Sequence, residues 1–262
     1  MTTKSRIEWT EMTWNPTVGC TKLSPGCKNC YAETMAKRLQ AMGAPGYEHG
    51  FQAMTLLPSR LAEPLKRQKP TTFFVNSMSD LFEERIPDAF IDQVMEVIAK
   101  APQHTFQILT KRAERMANYF TTKGRVVPPN AWIGVSVENR KHGLPRIRHL
   151  RRVPARIRFL SVEPLLEDLG VVDLAGIHWA IVGGESGAKA RPMLPRWVTS
   201  FQRQCEEQSV LMLFKQWGAY GEDGQRRAKR LNGRQLGGRT WDAMPVLETG
   251  DTTCSQSTLR SL

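Results

Sequence analysis

The sequence predicts an α/β protein with a parallel sheet, built as a partial or complete (β/α) barrel. Short apolar runs rich in β-forming residues recur along the 262-residue chain, and amphipathic helical patterns fill several of the gaps between them. The spacing between successive runs is about 20 to 35 residues, which is the size of a βα unit. The six clear runs are residues 73–75, 106–109, 132–135, 157–160, 179–182 and 210–214.

The remaining elements follow from local patterns. A first strand is predicted to end at Thr17–Gly19, before the first helix. Further helices are predicted at residues 32–42, 87–98, 112–120 and 195–208, and Pro145 is expected to open a short helix that buries Ile147 and Leu150. Seven βα repeats favour a barrel over a doubly wound sheet, although the periodicity alone does not decide between them.

The predicted domain organisation has two parts. Residues 1–218 form the barrel, with an insertion at about residues 44–70, where Gly, Pro and His interrupt the pattern. Residues 219–262 lose the alternation and are predicted to be a short, irregular, basic C-terminal extension that ends in a loose tail.

Composition narrows the class of protein. With 40% hydrophobic and 24% charged residues the chain can bury a core, which excludes a disordered protein. No apolar run approaches the roughly 20 residues of a membrane span, and the N-terminus has no apolar stretch of the kind found in signal peptides. We therefore expect a cytoplasmic protein without a membrane partner.

The net charge of +12 is concentrated in two windows. Residues 140–158 contain eight Lys and Arg, residues 226–239 contain six, and neither window contains an acidic residue. This concentration favours an anionic partner, with DNA or RNA as the candidate. The candidate contacts are Arg148, Arg151 and Arg152, on the exposed side of the helix expected after Pro145. Solvated helix faces are the alternative interpretation.

Polar and charged residues follow one predicted strand after another. In βα barrels the carboxyl ends of the strands carry the chemistry, and charges that converge there are costly unless they are paired or used. Helix capping explains Ser79 and Asp80 as well as a binding site does. It explains poorly the three Glu and two Lys at these strand ends, which are Glu138, Glu163, Glu185, Lys111 and Lys215. Of these, we assign Lys111, Glu163, Glu185 and Lys215 to substrate contact or proton transfer.

Three of the five cysteines, Cys20, Cys27 and Cys30, lie within eleven residues with the spacing C-x6-C-x2-C. A structural zinc site normally needs four protein ligands, and no fourth ligand shows a paired spacing. Three thiolates without a fourth suit a [4Fe–4S] cluster in which one iron is open to a small molecule. Zinc and plain buried thiols are the alternatives.

At these cysteines the sequence resembles a radical-SAM-like family of phages, prophages and bacteria whose function is unknown. The resemblance extends over roughly residues 6–245. Besides the cysteine segment it rests on IEWT at 7–10, WNP at 14–16, FVNSMSDLF at 74–82, APQHTFQILTKR at 101–112, WIGVSVE at 132–138, RFLSVEPLL at 158–166, IVGGESG at 181–187, ARPM at 190–193, FKQWG at 214–218 and GRTWDAMP at 238–245.

The resemblance implies a radical SAM type of barrel that binds a [4Fe–4S] cluster and S-adenosylmethionine (SAM), with an electron donor of the flavodoxin or ferredoxin type. Most radical SAM enzymes space the cysteines C-x3-C-x2-C and carry Gly-Gly-Glu after the second strand, and this chain departs from both patterns. By position, we expect Asn76, Ser77, Ser79 and Asp80 at the methionine end of SAM, Ser136 and Glu138 at the ribose, and Gly183 and Gly184 near the adenine.

Three functions remain open from the sequence. The first is a radical SAM enzyme that cleaves SAM reductively to modify or repair a nucleic acid or nucleotide, which the basic windows favour. The second is a radical SAM enzyme that acts on a peptide or a small metabolite. The third is a non-catalytic, metal-containing protein that binds nucleic acid.

Overall fold

The computed structural model describes residues 3–5, 7–122 and 125–246, and its main feature is one sheet of seven parallel strands in chain order. A short strand, β1 (Thr3–Lys4), adds antiparallel to the first of them. The parallel strands are β2 (Met12–Trp14), β5 (Thr72–Val75), β6 (Thr105–Thr110), β7 (Ala131–Ser136), β8 (Ile157–Val162), β9 (Trp179–Gly183) and β10 (Leu211–Gln216). The prediction of an α/β partial barrel is confirmed.

The first strand was predicted at the wrong place. Thr17–Val18 forms β3, which pairs antiparallel with β4 (Thr55–Leu56) in a separate two-stranded sheet. The first parallel strand is instead β2, which pairs with β5. Pro16 lies between β2 and β3, and because proline has no N–H to give to a ladder, the main-sheet pairing ends at Trp14.

The helices connect the strands. They are α1 (Tyr31–Ala41), α2 (Asp88–Ala99), α3 (Ala113–Thr122), α4 (Arg140–Arg151), α5 (Pro195–Glu207) and the short α6 (Lys229–Asn232). The helix predicted to open at Pro145 begins earlier, at Arg140, and encloses that proline. The Asn139 side chain caps it by accepting the backbone N–H of His142 at 2.9 Å, so the helix starts one full turn before the proline. No helix of the described residues is long and apolar enough to cross a membrane.

The two faces of the sheet carry different cores. Side chains such as Phe106 and Ile108 belong to the main core with the buried residues of the helices, while the intervening Gln107 points to the other face, as strand alternation requires. The other face carries a mostly aromatic cluster, which we call the inner-face cluster: Trp9, Trp132, Ile157, Phe159, Trp179, Ile181 and Leu213.

Trp9 shows that the sheet is curled. Its ring centroid lies 4.7 Å from that of Phe74 on β5 and 6.3 Å from that of Trp179 on β9. These two strands are four steps apart, and in a flat sheet four steps span about 19 Å. The rings of Phe74 and Trp179 can be separated by no more than the sum of their two distances to Trp9. The strands therefore bend around Trp9 and enclose the inner-face cluster.

The C-terminal segment lies along the last strand. The Trp179 indole donates to the Ala243 carbonyl at 2.8 Å, and Leu213 pairs with Asp242 in an antiparallel bridge. This segment therefore covers the edge of β10. The loose tail predicted at the C-terminus lies outside the described residues from 247 onwards.

Replacing Trp9 with alanine should lower the free energy of unfolding by about 3 to 5 kcal/mol, because a 4% exposed indole at the centre of the curl would leave a cavity. Chemical denaturation followed by circular dichroism measures the loss. Val171→Ala, at a side chain that is 96% exposed, is the control and should change stability by less than about 0.5 kcal/mol. A Trp9 variant as stable as the control would contradict the assignment of Trp9 as the centre of the inner core.

Candidate functional site

Residues 20–30, which we call the cysteine loop, run from β3 to α1 at the carboxyl ends of the parallel strands. Gly19 forms a parallel bridge with Ser79, in the segment that follows β5. Gly19 has a φ of 93°, and a Cβ there would lie 1.9 Å from the Ala53 carbonyl oxygen. Only glycine fits this position, so the chain enters the loop in one fixed direction.

The first anchor of the loop is the carboxylate of Glu138, just beyond β7. Ser24 of the loop donates its hydroxyl to Oε1 of Glu138. Arg146 of α4 donates to Oε2 at 2.6 Å and to the Ser136 carbonyl at 2.8 Å. Burial acts to raise the pKa of Glu138, but Arg146, Lys111 and the Ser24 hydrogen bond outweigh it and the pKa is lowered. The buried carboxylate is therefore held in its charged form.

The second anchor is the carboxylate of Glu185, after β9. Two guanidinium nitrogens of Arg191 donate hydrogen bonds to this carboxylate, at 2.7 and 3.0 Å. Arg191 also donates to the Pro25 carbonyl of the loop at 3.0 Å. Asn29 of the loop donates to the same carboxylate at 2.9 Å. Burial opposes ionisation, but these hydrogen bonds outweigh it and lower the pKa of Glu185.

The third anchor is Arg112, which follows β6 and pairs with Asp80 at 3.3 Å. Its guanidinium also donates to the Thr21 hydroxyl at 2.8 Å and lies 3.6 Å from the sulfur of Cys20. Asp80 is engaged on both oxygens, since Thr110 donates to Oδ1 at 2.6 Å and the backbone N–H of Lys111 donates to Oδ2 at 3.0 Å. Asp80 thus positions Arg112 and the end of β6.

Sequence reasoning found one half of each anchor. It singled out Asp80, Glu138 and Glu185 as candidate site residues, but it missed the partners, which are Arg112, Arg146, Arg191, Ser24 and Asn29. Arg146 was counted only as part of a basic window. Arg112 and Arg191 lie inside the segments that carry the family resemblance, and that was the one signal that could have pointed to them.

The three cysteines of the loop are free thiols and partly exposed. Burial, together with the charge of Asp80, raises the pKa of Cys20 to about 11. For Cys27 burial acts in the same direction, but Lys111 and backbone hydrogen bonds outweigh it and lower the pKa. Across the described ranges, no three His, Cys, Asp or Glu side chains are grouped so that they could hold a metal ion. By donor chemistry, three free thiols on one anchored loop fit a cluster with three thiolate ligands.

Asn76 differs from the other residues predicted to contact SAM. It is 2% exposed, and among the described residues neither polar atom of its side chain has a hydrogen-bond partner. Its φ of 63° lies in the left-handed region, which non-glycine residues rarely adopt. A buried amide without partners costs free energy, so such a group at the end of a strand fits a ligand contact.

The neighbours of Asn76 are already engaged. Ser77 and the Asn15 side chain approach each other at 3.2 Å, and Ser79 donates to the Thr17 carbonyl at 2.9 Å. Gly184 has a structural role, because a Cβ there would lie 1.9 Å from the Trp217 carbonyl oxygen and only glycine permits this close packing.

Two further predicted groups meet on the inner face beyond the strand ends. Lys215 of β10 lies 2.9 and 3.0 Å from the two oxygens of Glu163, and Gln216 donates to the same carboxylate at 3.2 Å. A Cβ on Gly183 would lie 3.2 Å from this carboxyl group. Lys111, directly after β6, donates to the hydroxyl of Ser136 at the end of β7 at 3.1 Å. Glu163 and Lys215 are therefore an ion pair, whereas Lys111 is hydrogen-bonded to a neutral hydroxyl.

Arg148, Arg151 and Arg152 lie at the C-terminal end of α4. Because α4 runs back from the carboxyl end of β7 towards the start of β8, these residues are at the opposite end of the sheet from the cysteine loop. Arg151 forms an ion pair with Asp173 at 2.8 Å, and Arg152 donates to the Asn118 side chain at 3.2 Å. Arg148 is exposed.

Acid should release the cysteine loop. The pKa values of Glu138 and Glu185 lie below their ordinary value of 4.5, so their stabilisation is present above that pH and is lost as the pH falls through the lowered values. We expect the hydrogen-exchange protection factors of residues 20–30 to fall below pH 4.5. In Glu138→Gln this pH dependence should be smaller, because one titrating anchor is missing. Loop protection that stays constant while α2 loses its own would contradict this account.

Comparison with solved structures finds spore photoproduct lyases. A cysteine-to-serine variant shares 13% identity at a TM-score of 0.47, with 80% of this chain and 65% of that chain covered. The enzyme complexed with dinucleoside spore photoproduct shares 13% identity at a TM-score of 0.45, with 79% of this chain and 64% of that chain covered. A double variant with bound AdoMet and the same dinucleoside shares 12% identity at a TM-score of 0.45, with the same two coverages. The chain spans less than two thirds of the length of these proteins.

No curated protein matches the sequence. One family model does match, over residues 4–245, and its description is "Protein of unknown function (DUF5131)". The expectation of a family of unknown function is confirmed, while the phage origin stays a prediction. Since the match extends over most of the 262 residues, the chain belongs to the DUF5131 family.

Proposed function

We propose that this protein is a radical SAM enzyme. The observation that carries the proposal is the cysteine loop: three free thiols on one segment, held by three arginine–carboxylate pairs beyond the carboxyl ends of a parallel, curled sheet. In (β/α) architectures this edge is where chemistry occurs. Anchors of this kind suit a loop that must keep its ligands in position while a cofactor is bound.

The residues proposed to hold the [4Fe–4S] cluster are Cys20, Cys27 and Cys30. When bound, the cluster supplies one electron, received from a flavodoxin-type or ferredoxin-type donor, for the reductive cleavage of SAM. The chain itself supplies ligands, positive charge near the thiols and fixed geometry. Lys111 lowers the pKa of Cys27 against the effect of burial, which favours its thiolate form. Arg112 contacts the sulfur of Cys20 and acts in the same direction, but burial and Asp80 outweigh it and the pKa of Cys20 is raised.

Asn76 is the residue that we propose to contact SAM directly. Its amide can both donate and accept a hydrogen bond, and no residue in the described ranges already bonds to it. Ser77, Ser79, Ser136, Gly183 and Gly184 remain candidates by position. Both carboxylate oxygens of Asp80 and of Glu138 already accept hydrogen bonds within the loop anchors. We therefore assign these two residues to positioning the cysteine loop and not to contact with SAM.

The substrate proposed for the site is a nucleic acid or a nucleotide, in keeping with the local basicity of the chain. The Glu163–Lys215 pair on the inner face is suited to contact the substrate or to move a proton, because its two groups lie in hydrogen-bond distance and both are partly exposed. Arg148, Arg151 and Arg152 stay candidate backbone contacts. We propose a cytoplasmic setting, where thiols stay reduced.

The deciding experiment is anaerobic reconstitution with iron and sulfide, followed by reduction with dithionite in the presence of SAM. The proposal expects release of methionine and 5′-deoxyadenosine, even without substrate. A protein that holds about four irons per chain but never consumes SAM would be an iron–sulfur protein of another class.

Alanine at Cys20, Cys27 or Cys30 should abolish the visible absorption of the reconstituted protein and lower its iron content from about four per chain to near zero. Cys205→Ala is the matched control and should keep its iron, because burial raises the pKa of that thiol to about 12 and its side chain is only 1% exposed. Metal analysis decides, and a stoichiometric zinc ion in place of iron would overturn the cluster assignment.

Replacing Asn76 with glycine should weaken SAM binding about tenfold, since a lost hydrogen bond is worth about 1 to 1.5 kcal/mol, while iron content stays unchanged. Glycine is chosen because it keeps the left-handed backbone. Ser209→Gly, at a second non-glycine residue whose φ is positive, is the control. Equilibrium dialysis with labelled SAM measures both variants, and equal affinities would remove Asn76 from the site.

A further inference from the structure

A groove of about 570 Å³ opens beside the loop that follows β9. One wall is the backbone of Gly187 and Ala188, and the other wall carries Arg226, Arg227 and Lys229 from the segment before and within α6. Three cationic side chains on one wall make the groove a candidate site for an anion.

The groove lies next to the candidate active site. Gly187 is two residues from Glu185, the carboxylate that anchors the cysteine loop. On the opposite wall Lys229 forms an ion pair with Glu8 at 2.9 Å. On the loop wall, Ser186, next to Gly187, donates its hydroxyl to the Gln216 side chain at 3.5 Å, and Gln216 donates to the Glu163 carboxylate at 3.2 Å. Hydrogen bonds through Ser186 and Gln216 thus connect the groove wall to Glu163.

The charges of the wall are not all balanced. Arg227 pairs with Asp223, and Lys229 pairs with Glu8. Arg226 donates to the Ala188 carbonyl and, within the part of the chain that the structure describes, has no carboxylate partner. Its guanidinium is exposed and keeps N–H groups for a ligand. Arginine is the cation whose planar donors match phosphate oxygens best.

We infer that this groove binds a phosphodiester of a single nucleic-acid strand, with Arg226 as its main contact. The groove is larger than one phosphate, and a Cβ on Gly187 would meet no atom within 4 Å, so this part of the wall leaves room for a sugar–phosphate backbone to pass. A strand held there would have its adjacent nucleotide near the Glu163–Lys215 pair. As a statement about substrate, this inference rests on the proposed function, whereas binding at the groove is measured separately.

A second groove provides the control. It has a similar volume, about 550 Å³, and its lining includes Arg196 and Arg203 of α5 together with the acidic Asp168 and Glu207. Acidic side chains balance its cations, so we expect no comparable attraction for a phosphate backbone.

The test is fluorescence anisotropy of a labelled single-stranded oligonucleotide with the reconstituted protein, in the absence of SAM. Arg226→Gln should weaken binding about tenfold at low salt, because one charge-assisted hydrogen bond is lost. It should also lower the slope of log affinity against log salt by about one unit. Arg203→Gln should bind as the unaltered protein does.

Three outcomes would overturn the inference: no binding of the strand at low salt, equal effects of the two substitutions, or displacement of the strand by inorganic phosphate at a matching phosphate concentration. The last outcome would mean that the groove takes free phosphate. If the strand binds through Arg226 but the protein does not cleave SAM, the inference about the groove stands and the proposed radical SAM function is wrong. If the protein cleaves SAM but does not bind the strand, the proposed function stands and the inference about the groove is wrong.

Discussion

The structure of the candidate site depends on three arginine–carboxylate pairs that hold the cysteine loop. Asp80 with Arg112, Glu138 with Arg146 and Glu185 with Arg191 stand at the ends of different strands or in the segments that follow them. Each pair also contacts the loop through a polar side chain or a backbone carbonyl. The position of the thiols is thereby tied to the sheet itself.

These pairs are costly to bury and costly to break. A buried ion pair gains little over an apolar pair, but removing one partner leaves an uncompensated charge and costs about 3 to 5 kcal/mol. Their value lies in geometry more than in net stability. Bidentate contacts such as Arg191 on Glu185 restrict both distance and orientation, and a loop of eleven residues with a glycine-only entry has little freedom left.

The inner-face cluster provides the second constraint. Trp9 contacts aromatic rings on distant strands and curves the sheet, so that inner-face groups at the strand ends point towards a common space. Gly134 contributes to the same curvature, since a Cβ there would lie 2.5 Å from the Phe159 ring. Asn76 and the Glu163–Lys215 pair lie at the carboxyl ends of strands of this curved sheet.

The sequence by itself determined the parallel strands from β5 onwards, most helices, the clustering of the thiols and the strand ends as the place of the charges, because these follow from local periodicity and spacing. Only the tertiary structure decided which residues pair. Two element boundaries had local signals that the prediction did not use: the first parallel strand is Met12–Trp14, before Pro16, and α4 begins after the Asn139 cap and not at Pro145. The arginines of the anchors are distant in sequence from the residues of the loop, 91 positions in the case of Arg112 and Thr21. No local pattern encodes such a contact, since it depends on which side chains the curl of the sheet brings within hydrogen-bond distance.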